Sequence, residues 1–244
     1  MKQTYWKTVE DVISKSDIVL YTIDARFPRE SRNSDVERIM EIKGKEIIYA
    51  VTKYDLIEGK KLRLDGSMKP FCVVSAKDFH GINKLKGMII AMGKRMKIER
   101  PRVCVVGYPN IGKSSLINAI KGKASARISS EPGFTKGKQD IALKNFLLID
   151  TPGVIPSDEK GDQKHLLISG VSGNAKEPDT AAISLMEQLP GLVEEYFEVR
   201  VKDDKEATLS EIAMKKSLLL KGGKPDIERA AKMILNLYQN GKLN

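Results

Sequence analysis

The segment Gly107-Tyr108-Pro109-Asn110-Ile111-Gly112-Lys113-Ser114 sets two glycines, a lysine and a hydroxyl at the spacing G-x-x-x-x-G-K-[ST]. Glycines let a backbone fold tightly enough for successive N–H groups to converge on an anion, and a helix starting at such a loop adds favourable potential. Lys113 would bridge two phosphates of a polyphosphate, and the Ser114 hydroxyl would hold Mg²⁺. Asn110, Ile111, Gly112, Lys113, Ser114 and Ser115 are therefore the expected phosphate-binding residues. By itself this chemistry calls for a nucleoside triphosphate without saying which base.

Two shorter segments bear on the base. Thr52-Lys53-Tyr54-Asp55 fits [NT]-K-x-D. A carboxylate accepts two parallel hydrogen bonds from guanine N1–H and its exocyclic amine, and adenine offers no such pair, so Asp55 would select guanine. The Lys53 stem would cover one face of the base while Thr52 braces the loop. In Ser75-Ala76-Lys77 the Ala76 N–H would donate to guanine O6 and the Lys77 stem would cover the other face. Each match is short; together, each at the end of an apolar run, they point to GTP or GDP and disfavour an ATP-dependent kinase. Asp150-Thr151-Pro152-Gly153 would sense the third phosphate, with Asp150 reaching Mg²⁺ through a water and the Gly153 N–H contacting the γ-phosphate. Thr135, within Glu131 to Lys136, lies between the phosphate loop and that segment and is expected at Mg²⁺ and the γ-phosphate. Lys113, Thr135 and Gly153 are thus the expected catalytic set, and Ser114, Thr135 and Asp150 the Mg²⁺ set.

Elements must hold these loops in place. Ile18 to Ile23, Glu46 to Val51, Phe71 to Val74, Arg102 to Val106 and Asn145 to Ile149 are nearly continuous apolar runs, which suits strands buried on both faces of a mainly parallel sheet. Helical patterns at Asn33 to Ile42, Ile82 to Lys97 and Lys113 to Lys121 lie between them. The alternation predicts a three-layer α/β domain. Trp6, Val9 and Ile13 are spaced for an N-terminal helix packed on the sheet, and Met88, Met92 and Met96 for a core stripe. Beyond Asp179 the pattern is helical: Asp179 to Phe197, Thr208 to Leu220 opening on a Thr208–Glu211 capping box, and a further helix from Pro225. The expected division is an α/β domain over 1–172 and a small all-α domain over 173–244.

Composition bounds the partners. The chain has 244 residues and a formal net charge of +10. Residues 1–173 carry 31 basic and 20 acidic side chains, and residues 174–244 carry 11 and 12, so the surplus lies wholly in the first part. From Lys84 to Arg102 seven cations face only Glu99, which is either a solvated helix face or a phosphate-facing patch. The longest apolar runs fall far short of the ~20 residues of a membrane helix, and the N-terminus shows no apolar signal segment. No Cys/His cluster has zinc-ligand spacing. Cys72 and Cys104 suit buried free thiols in a reducing cytosol. His80 and His165 suit ordinary surface positions.

The base-reading loops precede the phosphate loop, and in this the chain resembles the circularly permuted GTPases of the YlqF/YawG type. Asp24-Ala25-Arg26-Phe27-Pro28 with Ser31, Arg32 and Asn33 is similar to that family's D-A-R-x-P segment. Leu218 to Asp226, Ala230-Ala231 and Gly241-Lys242-Leu243 are similar to its C-terminal helical domain. The resemblance implies a GTP switch with slow intrinsic hydrolysis, and the large ribosomal subunit with its rRNA as partner; a cytoplasmic monomer using Mg²⁺ is the expectation that goes with it. It also brings Asn110 to a position associated with K⁺, the alternative being a side chain that steadies the turn. Two departures stand out. Val154 occupies the place where Ras-type proteins carry a water-orienting Gln, and no N-terminal histidine is available for catalysis. A GTP-gated module for a protein partner, without any RNA role, is the competing class.

Overall fold

The computed structural model describes residues 2–57, 62–108, 110–122, 141–149 and 177–243. The chain divides into two compact units, Met1–Pro156 and Ser157–Asn244. The expected boundary at 172–173 lies outside the described residues, as do Thr135, Asp150, Gly153, Val154 and His165.

The first unit is built on a sheet of six strands: β1 (Ile18–Asp24), β2 (Glu46–Thr52), β3 (Phe71–Val73), β4 (Arg102–Val106), β5 (Ile141–Ala142) and β6 (Leu147–Ile149). Their order is β3-β2-β1-β4-β6-β5, parallel except for β5 against β6. The central strand β1 is buried at every residue. Ile18, Leu20, Ile48, Ala50, Val103 and Val105 share one core with Ile82, Leu85, Ile89 and Met92 of α3 (Ile82–Arg95) and Leu116, Ile117 and Ile120 of α4 (Lys113–Lys121). The alternating residues Val19, Tyr21, Ile23 and Cys104 are equally buried on the other face. There α1 (Lys2–Lys15) supplies Val9, Val12 and Ile13, and α2 (Ser34–Ile42) supplies Val36 and Met40. Each such side chain contributes about 1.5–3 kcal/mol of burial, and strands with no polar face can rest only inside helical layers. Met88 and Met96 pack against the core beside Met92. Cys72 and Cys104 are buried free thiols, and burial pushes the Cys104 thiol up to about 12.

Edges moved where local caps decided. Asn33 is the N-cap of α2, its side chain accepting from the Val36 N–H, so the helix proper starts one residue later than the apolar pattern suggests. The short β5 was not legible as a strand; two residues carry no periodicity.

The described part of the second unit is helical: α5 (Pro178–Gln188), α6 (Leu192–Phe197), α7 (Lys205–Lys215) and α8 (Ile227–Gln239). The single helix expected over Asp179 to Phe197 is two. Pro190 cannot donate to the ladder, and Gly191 turns left-handed at φ +88, so the chain breaks there. The expected capping box at Thr208 is also overturned. Asp204 caps α7 by accepting from the Ala207 N–H, and Thr208, fully buried, donates instead to the Asp204 carbonyl at 3.1 Å. Leu218 to Leu220 leave the helix for a tight reversal in which Leu219 bridges Pro225. Pro225 therefore precedes α8, whose cap is Asp226. Ala181, Ala182, Ala213, Ala230 and Ala231 are buried with Leu185, Ile212, Ile234 and Leu235; small residues let these helices approach closely. Glu194, almost fully buried, is held by Lys205 at 2.8 Å.

Candidate functional site

The carboxyl ends of β2, β3 and β4 carry the three described motifs, at the crest where open α/β sheets bind ligands. Gly107 follows β4 immediately and passes so close to β1 that a Cβ there would sit 1.9 Å from Thr22 Oγ1. Thr22 in turn donates to the Val106 carbonyl at 2.7 Å. Asn110 at φ +53 and Gly112 at φ +106 are left-handed and swing the chain round into α4. No side chain caps α4, so its first N–H groups remain turned toward the loop. An anion seated there would take them up.

Lys113 opens α4 and folds back, donating to the Gly107 carbonyl at 2.8 Å and to the Tyr108 carbonyl. Its side chain is buried, and burial alone pushes its ammonium down to about 8. Ile111 is buried, while Asn110, Ser114 and Ser115 are exposed at the mouth of the loop. Among the described residues no three His, Cys, Asp or Glu side chains gather into a metal cluster. A single hydroxyl suits Mg²⁺, which keeps waters and takes phosphate oxygens rather than an all-protein cage; Ser114 is the described residue that would hold it.

The base-reading loop is tied directly to the phosphate loop. Thr52 Oγ1 donates to the Ile111 carbonyl at 2.6 Å and lies 3.1 Å from the Ile23 carbonyl. Lys53 follows at φ +57, and Asp55 sits half-buried in a short 3₁₀ turn, Tyr54–Ile57. The second base loop lies next to the first: Tyr54 N–H donates to the Val74 carbonyl at 3.3 Å, and Val74 N–H to the Val51 carbonyl at 2.7 Å. Ser75 is buried with its N–H on the His80 carbonyl, Ala76 packs against the core, and Lys77 is exposed. Thr52, Lys53, Asp55, Ser75, Ala76 and Lys77 are thus brought to one end of the sheet by the β2–β3 pairing.

His80 is exposed, as its reading as a surface residue expects, yet its ring stacks on Tyr54 with centroids 5.6 Å apart and planes at 21°. It joins the two base loops and so does more than decorate the surface. Two further groups escaped the sequence reading as site residues. The Asn33 amide donates to the Tyr108 hydroxyl at 3.1 Å, tying the cap of α2 to the phosphate loop. Asp24, buried, receives Arg26 through Nε at 3.0 Å and Nη2 at 2.8 Å, and Lys53 Nζ lies 3.3 Å away. Burial would push the Asp24 carboxyl up, but the Arg26 and Lys53 cations outweigh it and hold it below the ordinary carboxylate value. The Asp24–Pro28 segment was picked out as a motif without a role; what places it here is that Asp24 ends β1 opposite Thr52.

Known proteins similar to this chain are GTP-binding proteins. The model of the family described as 50S ribosome-binding GTPase matches residues 102–220, beginning at β4, so both base-reading loops lie ahead of it. An uncharacterized GTP-binding protein of Methanocaldococcus jannaschii is 39% identical over 98% of this chain and 65% of its own length. Nucleolar GTP-binding protein 2 of Neurospora crassa is 34% identical over 98% of this chain and 40% of its own length, and that of Saccharomyces cerevisiae 30% over 98% and 52%. The chain therefore spans about half the length of these nucleolar relatives and under two thirds of the archaeal one. Crystal structures of YlqF from T. maritima share the fold. The GNP-bound form superposes with a TM-score of 0.64 at 22% identity, covering 98% of this chain and 94% of that one. The GDP-bound form gives 0.59 at 21%, covering 96% and 94%. With the expected base-reading loops on β2 and β3 and the expected phosphate loop after β4, the chain has the fold of YlqF and is similar to the circularly permuted GTPases of the YlqF/YawG type.

Proposed function

We propose that this chain binds GTP and Mg²⁺, hydrolyses GTP to GDP and phosphate, and works as a nucleotide switch in assembly of the large ribosomal subunit, contacting rRNA. The observation that carries the reading is the 2.6 Å bond from Thr52 to the Ile111 carbonyl, which joins a guanine-selecting loop to a phosphate cradle in one pocket. Asp55 reads the base edge, and the stems of Lys53 and Lys77 cover its faces. Backbone N–H groups of residues 110 to 115 hold the β-phosphate, and Lys113 stabilises charge developing between the β- and γ-phosphates during transfer. Ser114, with Thr135 and Asp150, would hold Mg²⁺, which would neutralise phosphate charge, and Gly153 would sense the γ-phosphate. Asn110 would hold K⁺. With Val154 where a Gln would orient water, intrinsic turnover is slow and the bound particle supplies the activation.

The ribosomal part rests on the nucleolar relatives, on the matched family model and on charge. Lys84, Lys94 and Lys97 are exposed on and just after α3, which supports RNA contact by the α/β unit as well as the helical one. Work in the cytoplasm as a monomer is part of the same reading. Sedimentation with large-subunit particles, with and without a non-hydrolysable GTP analogue, tests it. Nucleotide-dependent co-sedimentation is expected, and absence from the particle fraction in every nucleotide state overturns the ribosomal role. Hydrolysis in KCl against NaCl tests Asn110, equal rates removing K⁺.

A further inference from the structure

Asp24 is a buried carboxylate with more cations than it needs. Arg26 alone satisfies it: Nε and the Arg26 backbone N–H both reach Oδ1 at 3.0 Å, and Nη2 reaches Oδ2 at 2.8 Å. The pair is rigid. The Asp24 N–H donates to Ser31 Oγ at 3.0 Å, Ser31 donates to the Phe27 carbonyl at 2.7 Å, and the Arg26 guanidinium lies 5.9 Å from the centre of the Phe27 ring. The side chains of Arg26 and Asp24 are 6% and 5% exposed. Onto this clamp the fold brings a second cation, Lys53, with its side chain 16% exposed and Nζ 3.3 Å from Oδ2. Among the described residues the buried ammonium makes no hydrogen bond of good geometry, so the contact with Asp24 is mainly ionic. Burial drives its pKa down, and Asp24 opposes that without cancelling it. Holding a lysine this way works against its rotamer freedom and its hydration. A base-covering stem gains from that arrangement, because an unheld lysine would have to be ordered by the nucleotide itself.

We propose that Asp24, clamped by Arg26, is the positioning residue of the guanine pocket: it fixes Lys53 before nucleotide arrives, so that the lysine stem stands as a preformed wall for the base. The register supports this. Asp24 lies opposite Thr52 in the parallel β1–β2 pair, and the Ala25 N–H donates to the Thr52 carbonyl at 3.0 Å, so anchor and lysine loop move as one piece. Preformed walls raise affinity by removing ordering that binding would otherwise have to supply.

The inference rests on the guanine-binding reading and is tested apart from it. GDP, IDP and ADP binding to the whole wild-type chain comes first; failure to bind GDP overturns the function, not the anchor. Asp24→Asn, the same shape without the charge, is expected to weaken GDP and IDP alike by about tenfold, the scale of coupling between contacting residues. Preference for GDP over IDP should survive, since Asp55 still reads the 2-amino group. In a Lys53→Met background the Asp24→Asn effect should vanish. Unchanged GDP affinity in Asp24→Asn, or a loss that persists in full beside Lys53→Met, overturns the anchor. Should Asp24→Asn fail to fold, lysine acetylation followed by mass spectrometry on the nucleotide-free wild type decides. Lys53 is expected to react far more slowly than Lys77, and equal rates overturn the proposal.

Discussion

Lys53 and Lys113 both bury their ammonium groups at the same end of the sheet, Lys53 as a half-buried residue and Lys113 as a buried one, and they are held in opposite ways. Lys53 lies against the Asp24 carboxylate, so its charge is directed into the protein and its stem is left for a ligand. Lys113 meets only the carbonyls of Gly107 and Tyr108 among the described residues, so its charge has dipoles around it and no anion. Burial lowers both ammonium groups, and only for Lys53 does a carboxylate push back. The difference teaches how one pocket divides its labour. In the proposed pocket the base side would need a surface and is ionically closed; the phosphate side would need a charge and, among the described residues, faces no anion.

That contrast can be broken by experiment. The largest effect is expected from Lys113→Ala, which removes an open cation: GDP and GTP affinity should fall by about 3 kcal/mol, the upper range for a hydrogen bond to a charged group, by calorimetry. A loss no larger than that of Lys53→Met would erase the distinction. Asp55→Asn should weaken guanine nucleotides by about 2 kcal/mol, since it leaves guanine donors unmatched. It should strengthen xanthosine diphosphate, read by competition.

The pH profile sharpens the contrast next. Lys113 has its pKa lowered from 10.5 to about 8, so the nucleotide-free fold carries the full burial penalty below about 8. Between about 8 and 10.5 the unfolded chain binds more protons, and stability from this group rises with pH. Phosphate favours the ammonium, so binding takes up a proton above about 8, and GDP affinity should fall between pH 7 and 9. Lys113→Met should flatten that fall, and a slope unchanged in that variant would assign the titration elsewhere. The smallest effect is expected from Thr52→Val, which removes one hydrogen bond between the base and phosphate loops. It should cost about 1 kcal/mol of nucleotide affinity with base preference retained.

Much of this site was legible in advance because its parts are local. A phosphate loop needs glycines, a lysine and a hydroxyl in one short run, and Gly107 to Ser114 contains them. The strands showed themselves because burial on both faces demands runs such as Val103 to Val106 without a polar residue. The helical unit was read less well. Thr208 and Asp204 both have the chemistry of a cap, and burial of Thr208 rather than local propensity decided between them. The break at Pro190 and Gly191 was signalled, but an apolar stripe running through it masked the stop.

The amino-acid sequence by itself determined the order of strand, loop and helix and the chemical type of each pocket wall, since backbone freedom, burial and base-edge hydrogen bonding depend on residues close along the chain. Only the tertiary structure decided that Asp24 faces Lys53, that Asn33 reaches Tyr108 and that Thr52 grips the phosphate loop. Those contacts join residues separated by 29 to 75 positions, and they depend on the register and order of parallel strands, which no local pattern specifies.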